Sequence, residues 1–269
     1  MKESLTYMFK DADFCKKAAL YFVVLILSGI GSLLSQMYNF STLKGLNAGI
    51  FLIIALFSFV FALSGYGYMI SCLRENIIQK ENLNIPWFNF INNFVDGFKL
   101  AFSFFLLYFS VFLIFVVLFL VGNAISGAAT AVTGIISLIL GICFLVVLLR
   151  ALPALIYNYA VNKSWLCAFK FKEADELIKE NKKHYWITYA KIVGIGLVSS
   201  IILIAFVYIV SYILGFLCGF LNLITQEKTA ELLAGVVAIL SSSAAYSYLM
   251  YVYARLLAQL KQTKEIEEI

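Results

Sequence analysis

Five stretches without any charged residue dominate this chain, and each is long enough to cross a lipid bilayer. A transmembrane helix needs about 20 mostly apolar residues to cross roughly 30 Å of hydrocarbon. The stretches are Ala18–Leu43, Gly45–Leu73, Leu100–Leu149, Ile192–Gln226 and Leu232–Ala254. Charged residues make up 13% of the 269 positions and apolar residues 63%, whereas a soluble domain has roughly 25% and about 45–50%. This composition excludes a soluble enzyme, a disordered chain and a nucleic-acid binder, so no nucleic acid is expected as a partner.

The third stretch is about twice as long as a single span needs to be. Gly122, Asn123, Ser126 and Gly127 near its middle favour a turn. Helices satisfy their own backbone hydrogen bonds in lipid. The sequence therefore predicts an all-α polytopic membrane protein with six transmembrane helices in three hairpins. The predicted spans are residues 18–36, 46–70, 98–121, 130–150, 187–214 and 231–257.

The distribution of cations predicts the orientation. With six spans, 18 of the 20 Lys and Arg residues fall on one side, and only Lys44 and Lys228 fall on the other. Since cytoplasmic loops carry the excess of cations, both termini are expected in the cytoplasm of a cell-membrane protein. The net charge of +5 indicates attraction to anionic inner-leaflet lipids, which are the predicted partners. The sequence specifies no protein partner.

Three cytoplasmic segments place apolar residues at helical spacing opposite polar ones, which predicts interfacial amphipathic helices. The first apolar stripe is Leu5, Met8, Ala12 and Cys15. The second is Trp87, Phe90, Ile91, Phe94 and Phe98, opposite Asn89, Asn92, Asn93 and Asp96, with Pro86 at the expected helix start. The third is Cys167, Phe171, Ala174 and Ile178.

Aromatic residues gather at the predicted inner ends of the spans. They are Tyr66, Tyr68, Tyr157, Tyr159, Tyr185, Trp186, Tyr246, Tyr248, Tyr251 and Tyr253. Aromatic belts at headgroup depth account for them without any ligand. Small residues four apart, such as Gly45 and Gly49, predict close helix packing.

The three arginines of the chain suggest a repeat. Arg74, Arg150 and Arg255 each lie at the end of the second helix of a predicted hairpin. We interpret residues 1–269 as a single membrane domain with a possible three-unit repeat, 1–70, 71–150 and 151–257, followed by a short charged tail, 258–269. The alternative is that every even-numbered helix must end on the positive side, where lysine would serve equally well.

The same arginines are the candidate binding residues. A guanidinium is a planar fork that binds phosphate through two hydrogen bonds, so Arg74, Arg150 and Arg255 are candidates for binding an anion or a lipid headgroup. The alternative is that they form salt bridges. The carboxylates expected as partners in that case are Glu75, Asp96, Glu173, Glu265, Glu267 and Glu268.

No catalytic, cofactor-binding or metal-binding residue is predicted. His184 is the only histidine and lies in a lysine-rich stretch, where we expect it to be solvated. Asp11 and Asp13 form a D-x-D pair of the kind that glycosyltransferases use for metal-bound sugar nucleotides, but a solvated helix face is the expected role here. The spans carry no charged residue at their centres, which disfavours an ion-coupled carrier.

Two regions carry a family resemblance. Gly65-Tyr66 followed by Arg74, then Ile85-Pro86-Trp87 and Gly97-Phe98-Lys99, together with Phe9-Lys10-Asp11-Ala12-Asp13, resemble a prokaryotic membrane family, domain-of-unknown-function family 4013. From Arg150-Ala151-Leu152-Pro153 to Ala168-Phe169 the chain is similar in layout to membrane domains found beside glycerophosphodiester phosphodiesterases. These resemblances imply a polytopic helical fold in the cytoplasmic membrane of a prokaryote and no catalytic residue.

Two functional hypotheses follow. The leading one is a non-enzymatic membrane protein that binds inner-leaflet lipid or anions, or scaffolds partner proteins. The alternative is a passive or facilitated transporter of a small or amphipathic solute. A wet cavity lined by Ser, Asn and Tyr would favour transport, and arginines converging on a cytoplasmic concavity would favour lipid or anion binding.

Overall fold

The computed structural model describes residues 11–37, 46–78, 85–220 and 227–260, and in these ranges the regular structure is entirely helical. Within these ranges, seven α-helices and one 3-10 turn follow one another. They are α1 (Phe14–Met37), α2 (Leu46–Ile78), α3 (Phe90–Ile125), α4 (Gly127–Asn162), the turn Cys167–Phe169, α5 (Phe171–Glu180), α6 (Lys182–Phe220) and α7 (Glu227–Ala258).

Five of these helices contain a segment long and apolar enough to cross a membrane. Within the described residues the segments are Gly49–Ile78, Phe90–Ile125, Ala129–Asn162, Lys182–Val210 and Gly235–Ala258. They overlap five of the six predicted spans. The remaining predicted span, residues 18–36, falls on α1, a helix of 24 residues. The length and composition of these helices therefore support a multi-pass membrane protein.

The helices are longer than the predicted spans. At 1.5 Å per residue, the 36 residues of α3 measure about 54 Å, which exceeds the roughly 30 Å of a hydrocarbon core. The predicted spans cover little more than the length that the hydrocarbon core requires. The α-helical backbone continues beyond the hydrocarbon because charged residues there do not interrupt it.

The predicted turn between the third and fourth spans is confirmed. Ser126 alone separates α3 from α4, and its hydroxyl oxygen accepts a hydrogen bond from the backbone N–H of Ala129 at 3.1 Å. Thr130 Oγ1 donates to Asn123 Oδ1 across the turn at 2.9 Å. A Cβ at Gly122 would overlap the Thr133 hydroxyl, so glycine permits this tight helical hairpin.

The second predicted interfacial helix is wrong as a separate element, because its residues form the first turns of α3. The helix begins at Phe90 rather than at Pro86, with Asn89 Oδ1 accepting from the N–H of Asn92 at 3.2 Å. Much of the apolar stripe is exposed, as expected for a lipid-facing surface, but part of the predicted polar face is buried. Trp87 and Ile91 are 55% and 72% exposed, whereas Asn93 and Asp96 are 2% and 8% exposed. In a lipid environment apolar side chains need no protein cover, and polar side chains are satisfied by packing against other polar groups.

The other two predicted interfacial helices have different outcomes. The third is present as α5, with Ala174, Leu177 and Ile178 buried and Lys172 and Glu176 exposed. Its apolar face packs against α4 rather than lying open. Most of the first predicted helix lies outside the described residues, and Cys15 belongs to α1.

The chain divides into two compact units. Unit 1 contains α1, α2, the start of α3 up to Gly97, α6 from Trp186, and α7. Its core joins α1, α2 and α7, where the rings of Tyr21, Tyr68 and Tyr251 lie 5.0–6.3 Å apart between centroids.

Unit 2 spans Phe98–Tyr185 and thus contains the rest of α3, α4, the 3-10 turn and α5. Over the two units together, half of the predicted aromatic belt is buried in protein. The buried residues are Tyr68, Tyr157, Tyr159, Tyr185 and Tyr251. Tyr66 and Tyr246, at 61% and 60% exposure, keep the outward position that a belt requires.

Candidate functional site

The three arginines expected to bind an anion differ in their surroundings. Arg74 on α2 and Arg255 on α7 belong to unit 1, whereas Arg150 on α4 belongs to unit 2. Each of them contacts a polar side chain through its guanidinium. Asp96 is among the partners expected from the sequence, but Asp175 and Asn76 are not.

Arg74 lies between α2 and the start of α3. Its Nη1 is 3.1 Å from Asp96 Oδ2, and the two side chains are 21% and 11% exposed. One turn away, Ser71 Oγ donates to Asn93 Oδ1 at 2.9 Å. Charge-assisted hydrogen bonds in such a shielded position are stronger than neutral ones. This pair therefore joins two helices, and its guanidinium is largely covered.

Arg255 reaches from α7 towards α2. Its Nη1 lies 3.5 Å from Asn76 Oδ1, and Asn76 Nδ2 donates to the carbonyl of Cys72 at 2.8 Å. Asn76 is buried. The Asn76 amide thus accepts from the Arg255 guanidinium through its oxygen and donates to the Cys72 carbonyl through its nitrogen. This contact links α7 to α2 near their ends.

Arg150 is the most open of the three arginines. Its Nη2 is 2.9 Å from Asp175 Oδ1, with side-chain exposures of 46% and 40%. The second oxygen of Asp175 is 2.6 Å from Lys179 Nζ. The hydrogen bond from Lys179 lowers the pKa of the Asp175 carboxyl, slight desolvation opposes it, and the charges of Lys179 and Arg150 lower it further.

The cluster of Arg150, Asp175 and Lys179 has two positive charges and one negative charge. Asp175 lies on α5 between the two cations and occupies one guanidinium nitrogen of Arg150. A guanidinium has five N–H donors in a fixed fork. The cluster therefore presents donors and a net positive charge to the surface, which suits a phosphate. The i, i+4 spacing of Asp175 and Lys179 is the sequence signal that identifies this pair.

Close backbone packing joins α2 and α3 next to Arg74. A Cβ at Gly67 would overlap the backbone carbonyl of Asn93, and a Cβ at Gly97 would overlap that of Leu63. The glycines permit this crossing because they have no side chain. By contrast, Gly49, which the sequence favoured for packing, has no atom within 4 Å of a Cβ built on it.

Comparison with known proteins places these features in a family. Residues 48–224 match the model of a family described as "Protein of unknown function (DUF4013)". The chain belongs to the DUF4013 family. No curated protein and no solved structure matches it. The comparisons do not show the expected similarity to membrane domains beside glycerophosphodiester phosphodiesterases.

The DUF4013 match gives the resemblance motifs a structural meaning. Gly67 follows the Gly65-Tyr66 motif directly, and Gly97 begins the Gly97-Phe98-Lys99 motif. Both glycines lie inside the matched region and form the crossing of α2 and α3. Arg74 and Arg150 also lie inside it, whereas Arg255 lies outside. Among the motif residues, Gly97 is therefore explained by helix packing.

A buried ion pair lies at the start of α1, where the sequence favoured a solvated face. Lys17 Nζ is 2.7 Å from Asp11 Oδ2, and the side chains are 7% and 4% exposed. Asp11 also accepts from the N–H of Ile85 at 2.8 Å, while Lys17 Nζ lies 5.3 Å from the centroid of Trp87. Burial works to raise the pKa of Asp11, but the hydrogen bonds from Lys17, Ile85 and Asp13 outweigh it and lower the pKa. Through its contacts with Ile85 and Trp87, the pair links the start of α1 to the segment before α3.

The described residues hold no group of three or more His, Cys, Asp or Glu side chains that could bind a metal ion. A groove of about 510 Å³ lies between α3 and α4. Its lining is Phe115, Phe119, Gly134, Ser137, Leu138, Gly141, Ile142 and Leu145. Ser137 is the only polar side chain there, so this groove resembles a lipid-facing crevice more than a wet path for a solute.

Proposed function

We propose that this DUF4013 protein is a non-enzymatic, six-span protein of a prokaryotic cytoplasmic membrane. Both termini face the cytoplasm, and Arg150 binds the phosphate of an anionic inner-leaflet lipid. The single observation that carries the binding proposal is the half-exposed guanidinium of Arg150, held by Asp175 at 2.9 Å in a cluster of net positive charge. Anionic lipids attract surface cations with about 1 kcal/mol per well-placed side chain.

The six-span layout adds α1 to the five candidate spans. The 24 residues of α1 extend for about 36 Å, which is enough to cross the hydrocarbon. Residues 18–43 carry no charge. An even number of crossings also leaves nearly all cations on one side, as the positive-inside rule requires.

Arg150 is a better phosphate ligand than the other two arginines. Arg74 is 21% exposed and its Asp96 partner 11%, so a phosphate would first have to displace a shielded carboxylate. Arg255 contacts the buried Asn76 amide. We therefore assign these two side chains to helix packing. The transporter alternative receives no support from the apolar groove between α3 and α4.

Native mass spectrometry of the detergent-solubilised full chain tests the proposal. We expect phosphatidylglycerol to be retained in preference to phosphatidylcholine. Arg150→Gln should weaken this retention roughly fivefold, the equivalent of about 1 kcal/mol. Arg150→Lys should lose part of it because an ammonium lacks the planar fork. Lys172→Gln, which changes an exposed lysine of α5, is the matched control and should bind lipid as the parent does.

Two further measurements sharpen the outcome. Inorganic phosphate added to lipid-free protein distinguishes a free anion from a lipid headgroup as the ligand of Arg150. The melting temperature of each variant identifies any loss of fold. Equal retention of phosphatidylglycerol by the parent and a folded Arg150→Gln variant would refute the binding proposal.

A further inference from the structure

The segment that joins α4 to α5 turns large apolar side chains outward. Trp165, Leu166 and Phe169 are 47%, 54% and 41% exposed. They lie within seven residues of the end of α4, among Lys163 and Lys170. We call residues 163–170 the α4–α5 loop.

The α4–α5 loop has a fixed shape, so this exposure does not result from slack in the chain. Lys163 takes a left-handed conformation with φ 51° and donates its N–H to the carbonyl of Tyr159 at 2.8 Å. The 3-10 turn that follows buries Cys167 and Ala168 completely. The N–H of Ala168 donates to Ser103 Oγ on α3 at 2.9 Å.

The outward side chains continue an aromatic surface on α3. The ring of Trp165 meets those of Phe98 and Phe102 edge-on, with centroids 6.3 Å and 6.2 Å away. Phe102 stacks in turn on Phe105, further into the apolar part of α3. The loop is therefore continuous with the surface that a membrane-spanning α3 turns towards lipid.

Cations border the same surface. Lys99 Nζ lies 5.3 Å from the centroid of Trp165, and Lys163 is exposed. Neither lysine forms an ion pair within the part of the chain that the structure describes. An apolar tip bordered by cations complements an anionic bilayer surface, in which acyl chains lie beneath phosphates.

Neighbouring α5 does not offer such a surface. Its apolar residues Ala174, Leu177 and Ile178 are covered by protein, and its exposed side chains include Lys172, Glu176 and Lys179. The apolar face of α5 is thus buried within unit 2. The exposed apolar side chains nearest to α5 are those of the α4–α5 loop and of the adjoining surface on α3.

We infer that the α4–α5 loop is a membrane-docking wedge. Trp165, Leu166 and Phe169 insert into the boundary between headgroups and acyl chains of the inner leaflet, and Lys99 and Lys163 contact lipid phosphates. Such insertion reaches about 5–10 Å into the bilayer. The inference rests on the membrane-spanning part of the proposed function but not on Arg150.

Depth-dependent fluorescence quenching tests the wedge. The full chain with Trp87→Phe and Trp186→Phe keeps Trp165 as its only tryptophan and is reconstituted into vesicles of phosphatidylglycerol and phosphatidylcholine. We expect bromine atoms near the glycerol end of the acyl chain to quench Trp165 more strongly than aqueous iodide does. Stronger quenching by iodide, with no quenching by brominated lipid, would overturn the inference.

A matched reporter on α5 provides the control. In a chain with all three tryptophans changed to phenylalanine, Lys172→Trp places the reporter on the exposed face of α5, and iodide should quench it more than brominated lipid. Equal lipid quenching at both positions would also overturn the wedge. Adding Arg150→Gln should leave the quenching of Trp165 unchanged, which separates this inference from the lipid site at Arg150.

The unaltered chain gives a second readout if the substitutions disturb folding. A phosphatidylglycerol with a photoactivatable diazirine near its glycerol end should crosslink to residues 163–170, and peptide mass spectrometry locates the adducts. Crosslinks on the charged face of α5 instead of the α4–α5 loop would contradict the wedge.

Discussion

At the scale of single residues, the buried Asp11–Lys17 pair of unit 1 is a contact in which each charge depends on the other. Its atoms are 2.7 Å apart and both side chains are less than one tenth exposed. Removing one partner of a buried pair leaves the other charge without compensation, and this costs about 3–5 kcal/mol. Asp13 and Lys16 form a similar contact at 3.1 Å in a far more exposed position.

We expect Asp11→Asn to lower the free energy of unfolding by about 3 kcal/mol. Asparagine keeps the size of the side chain and an acceptor for Ile85 but leaves the ammonium of Lys17 unbalanced. Asp13→Asn is the matched control and should cost at most about 1 kcal/mol. Thermal unfolding in detergent measures both variants, and an equal loss in the two would refute the role of burial.

The lowered pKa of Asp11 predicts that the stability of the protein depends on pH. The folded pKa of Asp11 is lowered below the ordinary value of 3.8, so the folded state favours the charged form. Its stabilisation is therefore complete above about pH 4 and is lost as the pH falls through the folded pKa. The difference in melting temperature between the parent and Asp11→Asn should shrink over that acidic range. A constant difference would contradict the prediction.

At the scale of elements, the crossing of α2 and α3 depends on two glycines. Backbone atoms occupy the space where a Cβ at Gly67 or Gly97 would lie. Backbone cannot move aside as the end of a flexible side chain does. Both Arg74–Asp96 and Ser71–Asn93 bridge the same two helices, so separating the helices would also stretch these contacts.

Gly67→Ala should therefore destabilise the protein by about 1–3 kcal/mol through overpacking. Gly49→Ala lies on the same helix in open space and should leave the stability unchanged or raise it slightly, because alanine favours helix more than glycine does. Melting temperatures in one detergent compare the two variants. A Gly67→Ala variant as stable as Gly49→Ala would show that the helices separate without cost.

The three-unit repeat also belongs to this scale and remains a prediction. Two contacts recur in support of it. An arginine pairs with an aspartate further along the chain in Arg74–Asp96 and in Arg150–Asp175. A lysine lies over a tryptophan in Lys17–Trp87 and in Lys99–Trp165, each at 5.3 Å. Shared contacts of this kind are expected if the first two hairpins descend from one unit.

At the scale of the whole molecule, topology is the prediction with the widest consequences. In the part of the chain that the structure describes, five helices qualify as candidate spans, and α1 is the proposed sixth. An odd number of crossings would place the termini on opposite sides of the membrane. It would also divide the cations between the two faces, against the positive-inside rule.

We expect epitope tags at either terminus to be inaccessible to antibody in intact cells and accessible after the cytoplasmic membrane is opened. A tag in the predicted outer loop at Lys44 or Lys228 should show the reverse once the outer barriers alone are permeabilised. A terminal tag that is reached from outside would contradict the six-span layout.

Much of the helical framework follows from sequence alone. The turn around Ser126, the amphipathic α5 and five of the predicted spans agree with the structure. The separate interfacial helix at Pro86 is wrong because the periodicity of a helix is the same on either side of a membrane boundary. A stripe of aromatic residues therefore cannot tell a new helix from the first turns of α3.

The polar contacts were less predictable than the helices. The partners of Lys17 and Arg150 lie close in sequence or on a neighbouring helix, but Asp11 reaches Ile85 and Arg255 reaches Asn76 across large sequence separations. A polar residue beside an apolar stripe suggests a solvated face, which is the expectation for Asp11. Burial against Ile85, far along the chain, reverses that expectation.

The amino-acid sequence by itself determined that this is a helical chain with several membrane spans. The cost of placing charge or an unsatisfied backbone in hydrocarbon falls on each segment separately. Only the tertiary structure decided that Gly67 and Gly97 meet, that Asp11 and Lys17 are buried together, and that Arg150 stays open. Those outcomes depend on which distant atoms share the same space, and no local pattern encodes that.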